Sequence, residues 1–211
     1  MNIHKIGHAC LVITKGNTKL MFDPGRFTKD QLKITGLQAI IITHKHTDHL
    51  DPETLPEIIK NNPEAQVFCN SDSGVRLDKL NIKWSRLEDG ETATVGDFKI
   101  EAFGKDHQPI YSEIETPVNT GYLINETLFH PGDSYFVPPK PVEVLAAPFS
   151  APWGTIGQSI DYVKKVKPPK AFTIHDGMLN IHGPYDALPI EILEPLNIEF
   201  IPLKAGGKIE I

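Results

Sequence analysis

The sequence predicts an α+β fold in which two mixed β-sheets carry helices on their outer faces. Three observations point there. The first half holds eight short segments rich in β-branched and aromatic residues, separated by Gly/Asn/Asp turns. Helix-like segments occur only between such strands, first within that half and again after residue 150. The composition, 40% hydrophobic and 23% charged over 211 residues, is enough for one substantial core and too little for two ordinary enzymatic domains.

Strands are expected over residues 3–7, 10–14 and 18–22, with Lys15-Gly16-Asn17 turning the second into the third. The apolar runs 39–43 and 65–69 follow, joined by a helix over 52–61 that Asp51 caps and Pro52 opens. A helix over 71–80 leads to strands at 82–87, 93–96 and 98–103, punctuated by Glu88-Asp89-Gly90 and Gly96-Asp97. Strands resume at 120–124, 127–130 and 142–147. A helix over 155–166, a strand at 170–174, a helix over 185–196 and strands at 198–203 and 208–211 complete the order. No repeat, low-complexity tract or linker interrupts it, so residues 1–211 read as a single domain.

No apolar run approaches the roughly 18 residues of a membrane span, and no signal-peptide core follows Met1, so cytoplasmic residence without a membrane partner is the expectation. The net charge is −6, and no basic cluster exceeds Lys164-Lys165. That argues against a nucleic-acid partner, although Lys45, Lys105 and Lys140 neighbour the motifs described next. Cys10 and Cys69, each in an apolar strand-like segment, are expected as reduced core residues.

Chemistry concentrates in Ile40-Ile41-Ile42-Thr43-His44-Lys45-His46-Thr47-Asp48-His49. The pattern H-x-H-x-D-H arises by chance in such a chain only about once in a thousand. Neutral imidazole and carboxylate are the donors that zinc, iron and manganese accept, and such cations need several donors converging on one point. A strand from Ile40 to His44 would face His44 and His46 to the same side, with Asp48 and His49 on the turn beyond it.

The segment Thr43 to His49 resembles the signature of the metallo-β-lactamase superfamily of metal-dependent hydrolases. Four further motifs of that family recur in order: Asp23 in Met21-Phe22-Asp23-Pro24-Gly25, His107 in Gly104-Lys105-Asp106-His107, Asp133 in Pro131-Gly132-Asp133-Ser134, and His175 in Phe172-Thr173-Ile174-His175. Within the superfamily, Ile6-Gly7-His8-Ala9 resembles the opening of the ascorbate-phosphate-lactonase-like branch. The resemblance implies an αββα sandwich with the site at one edge, where loops of both sheets meet. It implies two divalent metal ions, zinc first and manganese or iron as alternatives. His44, His46 and His107 would hold the first ion, Asp48, His49 and His175 the second, and Asp133 both. A water between the ions would then be the nucleophile, with Asp48, His49 and Asp133 in the catalytic centre.

The same resemblance makes Asp23 a carboxylate that orients ligand loops and gives His130 a supporting or structural place. Asp176 is expected to orient its neighbour His175, and His182 is the rival for the last ligand. His8, Ser134, Tyr135 and Trp153 are candidates for the pocket, and His4 is expected to be ordinary. No G-x-S-x-G and no phosphate-cradling P-loop is present. The expected function is a dinuclear metal-dependent hydrolase acting on a small-molecule ester, lactone or phosphoester. A non-hydrolytic diiron or zinc sensor on the same fold is the first alternative and a metal-dependent nuclease or phosphodiesterase the second; oligomeric state is left open.

Overall fold

Strands buried on one face alternate apolar and polar residues, whereas strands covered on both faces are apolar throughout. All four residues of β4 (Ala39–Ile42) and all five of β11 (Val144–Pro148) are buried, as are the four of β9 (Gly121–Ile124). The computed structural model, which describes residues 1–211, shows what covers them.

Two seven-stranded mixed sheets pack face to face. The first contains β1 (Asn2–Gly7), β2 (Cys10–Lys15), β3 (Thr18–Phe22), β4, β5 (Gln66–Cys69), β6 (Ser85–Arg86) and β14 (Lys208–Glu210), in the order β14-β1-β2-β3-β4-β5-β6. The second contains β7 (Thr92–Val95), β8 (Phe98–Phe103), β9, β10 (Leu128–His130), β11, β12 (Lys170–Ile174) and β13 (Glu199–Ile201), ordered β13-β12-β11-β10-β9-β8-β7. Successive β4 side chains divide the core. Ala39 and Ile41 join Phe22, Phe98, Ile124 and Phe172 between the sheets, while Ile40 and Ile42 join Leu55, Ile58 and Leu77 beneath the helices. A third cluster, including Leu145, Ile160, Val163 and Leu193, seats the second pair of helices on the second sheet. The fold is therefore the expected αββα sandwich. Cys10 and Cys69 lie in the apolar layer under the first pair of helices as buried free thiols.

The helices are α1 (Leu55–Asn61), α2 (Ser71–Lys79), α3 (Ile156–Val166) and α4 (Gly183–Leu193), and none is long and apolar enough to cross a membrane. α1 begins later than expected. Asp51 does accept from the Glu53 amide (3.3 Å) and its carbonyl takes the Leu55 amide (3.0 Å), but Pro56 has no N–H for the carbonyl of Pro52, so 52–54 remain a turn. α4 starts at Gly183 rather than 185 and ends in a 3₁₀ turn, Glu194–Leu196. Thr155 and Gln158 close a capping box on α3.

Candidate metal centre

The connections that leave one end of both sheets converge. β4 stops at Ile42, earlier than expected, so His44 and His46 meet through an irregular loop over 43–50 rather than through strand alternation. That loop is held from three sides. The Asn70 side chain, capping α2, donates to the Thr43 carbonyl (2.8 Å); Arg26 N–H donates to the Thr47 carbonyl (2.9 Å); and Gly25 lies so close to Asp48 that a Cβ there would sit 1.6 Å from the Asp48 carbonyl oxygen.

Two groups of side chains result. His44, His46, His107 and Asp133 offer ligand atoms within 4.8 Å of one another, and so do His8, Asp48, His49 and His175. Asp133 reaches into both. Its Oδ1 lies 3.0 Å from His49 Nε2, and its Oδ2 lies 3.1, 3.4 and 3.8 Å from the Nε2 atoms of His175, His107 and His44. His182, a third exposed at the start of α4, stays away, so His175 is the residue brought to the cluster.

The far side of each ring explains its orientation. His49 Nδ1–H donates to Asp23 (2.7 Å), His107 Nδ1–H to the Gln108 carbonyl (2.6 Å) and His175 Nδ1–H to the Ser150 carbonyl (2.6 Å). The Thr43 hydroxyl gives its one proton to Asp23 (2.8 Å), so it accepts from His44 Nδ1–H (3.0 Å). Every one of these rings thus turns its Nε2 inward. The Nε2 atoms of His44, His49, His107 and His175 and the Oδ1 of Asp133 are buried with no hydrogen-bond partner, although they crowd together. Buried polar atoms left this way cost about 1–3 kcal/mol each. A divalent cation satisfies such atoms, and the N/O donor set suits one.

Electrostatics agree. Burial and the neighbouring His49 hold His44 well below the usual histidine range, and burial with His107 lowers His46. Burial opposes ionising Asp133, yet the rings of His175, His49 and His44 outweigh it and keep the carboxyl well below its ordinary range. Asp48 shifts the same way for the same reason, through His175 and His8. For His175 burial works against charge, but Asp133 and Asp48 prevail and push its pKa up to about 9; His49 is raised likewise by Asp133 and Asp23. In the metal-free protein, protons on these two rings offset Asp133.

Residues 2–175 match the Beta-lactamase superfamily domain. The chain belongs to that family. Protein Rv0786c of Mycobacterium tuberculosis is 36% identical over 184 residues, which cover 85% of each chain. A UPF0173 metal-dependent hydrolase of Carboxydothermus hydrogenoformans is 26% identical over 195 residues, 83% of this chain and 84% of that one. The metallo-beta-lactamase fold protein YhfI from Bacillus subtilis superposes with a TM-score of 0.79 at 15% identity, over 100% of this chain and 98% of its own.

Around this superfamily centre several sequence expectations need correction. Asp176 does not touch the His175 ring; its carboxylate takes the fully buried Lys5 ammonium (2.6 Å), which also donates to the carbonyls of Thr173 (2.9 Å) and Leu203 (2.8 Å). An unpaired ammonium beside β12 would be costlier than losing one imidazole contact, and Ser150 serves His175 instead. Trp153 lies in the pocket lining, 8% exposed, and donates its indole N–H to Asp133 Oδ2 (2.9 Å). Tyr135 turns from the pocket to share a hydrogen bond with Ser159 (3.0 Å) while packing on Trp153 and Tyr162, and Ser134 is buried outside the pocket lining. His130 stacks on Phe22 and donates to the Ala9 carbonyl (3.2 Å), a structural place. Asp23 ties down the 43–50 loop, taking the Thr43 amide (2.8 Å) as well as His49.

The cavity over the cluster measures about 340 Å³ and is lined by His46, Thr47, Asp48, Arg76, Ile110, Asp133, Pro152, Trp153 and His175. Arg76 was invisible to motif reading, since one arginine in α2 carries no signal until α2 packs beside the loop; its Nη1 donates to the Lys45 carbonyl (2.6 Å). A wider concavity, about 680 Å³, opens beside Trp84 and contains none of the converging histidines.

Proposed function

We propose that the protein is a hydrolase that holds two divalent cations side by side and cleaves a small ester, lactone or phosphoester. The observation that carries this reading is the set of five buried, unpartnered atoms, Nε2 of His44, His49, His107 and His175 and Oδ1 of Asp133, all aimed at one centre. His44, His46 and His107 would hold one ion, Asp48, His49 and His175 the other, with Asp133 shared. Cations so placed supply Lewis acidity, lowering the pKa of water towards neutrality and drawing negative charge from a carbonyl or phosphoryl oxygen.

The chain's own residues do the rest. Asp23, Thr43, Gln108 and Ser150 hold the imidazoles in one tautomer. Trp153 fixes the Asp133 carboxylate through its N–H and, with Pro152, walls the cavity. Arg76 is the one arginine or lysine in the lining and puts a positive charge where the oxygens of an anionic substrate would lie. A volume of about 340 Å³ suits a small molecule, at the low end of ligand cavities. The Carboxydothermus relative, a metal-dependent hydrolase by name, supports the hydrolase reading. The imidazole-rich donors suit zinc, to be tested against iron and manganese.

Elemental analysis of protein purified without chelator tests it. Close to two ions per chain are expected, and Asp133→Ala should lower both occupancies. A stoichiometry of zero, not restored by added Zn²⁺ or Mn²⁺, sinks the reading. Turnover of lactones, phosphodiesters and thioesters by the loaded protein, abolished by chelator, identifies the substrate class.

A further inference from the structure

His8 stands apart from the other rings in the cluster. It is buried, its ring centroid lies 4.0 Å from that of His175, and its Nε2 lies 3.3 Å from Asp48 Oδ2, so by proximity alone it would count as a further ligand of the second ion, beside Asp48, His49, His175 and the shared Asp133. The hydrogen bond on its far side says otherwise. Nδ1 accepts the Gly177 backbone N–H (3.1 Å), so Nδ1 carries the lone pair and the proton of the neutral ring sits on Nε2. In His44, His49, His107 and His175 the arrangement is opposite, with Nδ1 donating and Nε2 left facing the cluster as the atom a cation would take.

Resting on the two-ion reading above, we propose that His8 is not a metal ligand but a positioning residue whose Nε2–H donates to Asp48 and fixes that carboxylate for the second ion. Asp48 needs such a partner. Its side chain is 22% exposed, against 0–3% for Asp133, His44, His49, His107 and His175, and it sits on the turn that ends the ligand loop. A carboxylate oxygen has two lone pairs, so Oδ2 can accept from His8 and still face the ion near His175, 3.6 Å away.

The backbone enforces this arrangement. His8 has φ 51°, a left-handed conformation that costs a residue other than glycine about 1–2 kcal/mol. Its carbonyl takes the His175 amide (3.1 Å), which locks the two ring-bearing turns together. Gly177 approaches so closely that an added Cβ would meet His8 Cβ and Nδ1 at 3.0 Å, which leaves the amide free to reach the ring. Phe27 covers the outer side of the imidazole, with centroids 4.8 Å apart.

The test uses full-length protein with ¹⁵N-labelled histidine, loaded with ¹¹³Cd. Scalar coupling to cadmium is expected for His44, His46, His49, His107 and His175, while His8 shows none and keeps a proton on Nε2. Cadmium coupling to His8, or a His8 proton on Nδ1, overturns the proposal. The number of ¹¹³Cd resonances in the same sample judges the two-ion reading separately, so the two failures are distinguishable. His8→Ala should weaken the second ion's affinity about 10- to 100-fold while leaving the first unchanged, and His8→Gln, whose amide N–H reaches the Nε2 position, should recover most of it. Unchanged affinity for both ions in a His8→Ala protein that melts as a folded chain also overturns the proposal.

Discussion

The first sheet pairs β14, β1, β2 and β3 antiparallel and then β3 to β6 in parallel; the second repeats the scheme with β7, β8, β9 and β10 antiparallel and β10 to β13 parallel. α1 and α2 cross between the parallel strands of one sheet as α3 and α4 do in the other. Corresponding connections even carry corresponding chemistry: His8 follows β1 and His107 lies after β8, Asp23 follows β3 and Asp133 lies after β10. The load is nonetheless unequal. The loop after β4 holds His44, His46, Asp48 and His49, whereas the loop after β11 supplies only the Ser150 carbonyl and Trp153. After β5 comes Asn70, a cap and loop clamp, and after β12 comes His175.

The lesson concerns division of labour. Parallel strands deliver their connections to one end of the sheet, where sites form in α/β architecture, and the topology alone brings both sets of loops there. Which member of each pair faces the centre is then decided by hydrogen bonds. Asp133 faces it because Trp153 holds Oδ2 and Asn119 accepts the Asp133 amide (2.9 Å); Asp23 faces away because Thr43 and His49 take both its oxygens.

The Asp133–Asp23 pair gives the largest expected effect. Asp133→Ala should lose both ions and with them hydrolysis, whereas Asp23→Asn should keep the first ion and weaken the second about 10- to 100-fold, because His49 loses its acceptor directly while His44 still has the Thr43 hydroxyl to donate to. Equal losses from both, by elemental analysis and competition titration, would break the distinction. Next comes the tie between the sheets. Lys5→Met strands the Asp176 carboxylate among Thr173 and Leu203 carbonyls, and should destabilise the fold by about 3–5 kcal/mol in urea unfolding. A change below 1 kcal/mol would show that the sheets hold together without it.

A third expectation concerns pH. Burial disfavours a charged His175, but Asp133 and Asp48 raise its folded pKa to about 9, above the unfolded value near 6.5. Its contribution is therefore fully present below pH 6.5 and lost as pH rises through 9. Metal-free protein should melt lower at pH 9.5 than at 6.5, and zinc binding at pH 7.5 should release protons from His49 and His175. A metal-free melting temperature that rises over that window would contradict the assigned charges. The smallest effect is expected at Asn70, the counterpart of His175. Asn70→Ala removes the α2 cap and the clamp on Thr43, costing about 1–2 kcal/mol, with both ions retained. Loss of an ion there would show that the clamp, and not the ligand tethers, sets the loop.

All fourteen strands and all four helices were legible from apolar runs, alternation and turn residues. Central strands such as β4, β9 and β11 are covered on both faces and read as unbroken hydrophobic stretches, whereas β8 alternates buried residues with exposed or half-buried ones. Errors gathered at ends. β6 shrinks to Ser85–Arg86 within the expected 82–87, and β4 surrenders Thr43 and His44, whose side chains are taken by the site. The topological repetition of the two sheets leaves no trace as a sequence repeat, since matching pairings constrain burial and not identity. The fold brings His44, His46, His107 and Asp133 into one group and Asp48, His49 and His175 into another; only the 44–49 segment is a local pattern of donor types, while His107, Asp133 and His175 each come from a separate loop.

What sequence determined by itself was the fold class, the strand order along the chain and the donor inventory, all of which depend on periodicity and residue chemistry. Tertiary structure decided the rest. Lys5 rather than His175 claims Asp176, Trp153 grips Asp133, Arg76 enters the cavity and His8 accepts a backbone N–H on the ring nitrogen through which its neighbours donate. Each of those outcomes depends on a hydrogen-bond partner distant along the chain, such as the Gly177 amide 169 residues from His8. Which partner a side chain finds is set only when both sheets have packed, because burial makes every unsatisfied donor or acceptor costly and forces one pairing over its rivals.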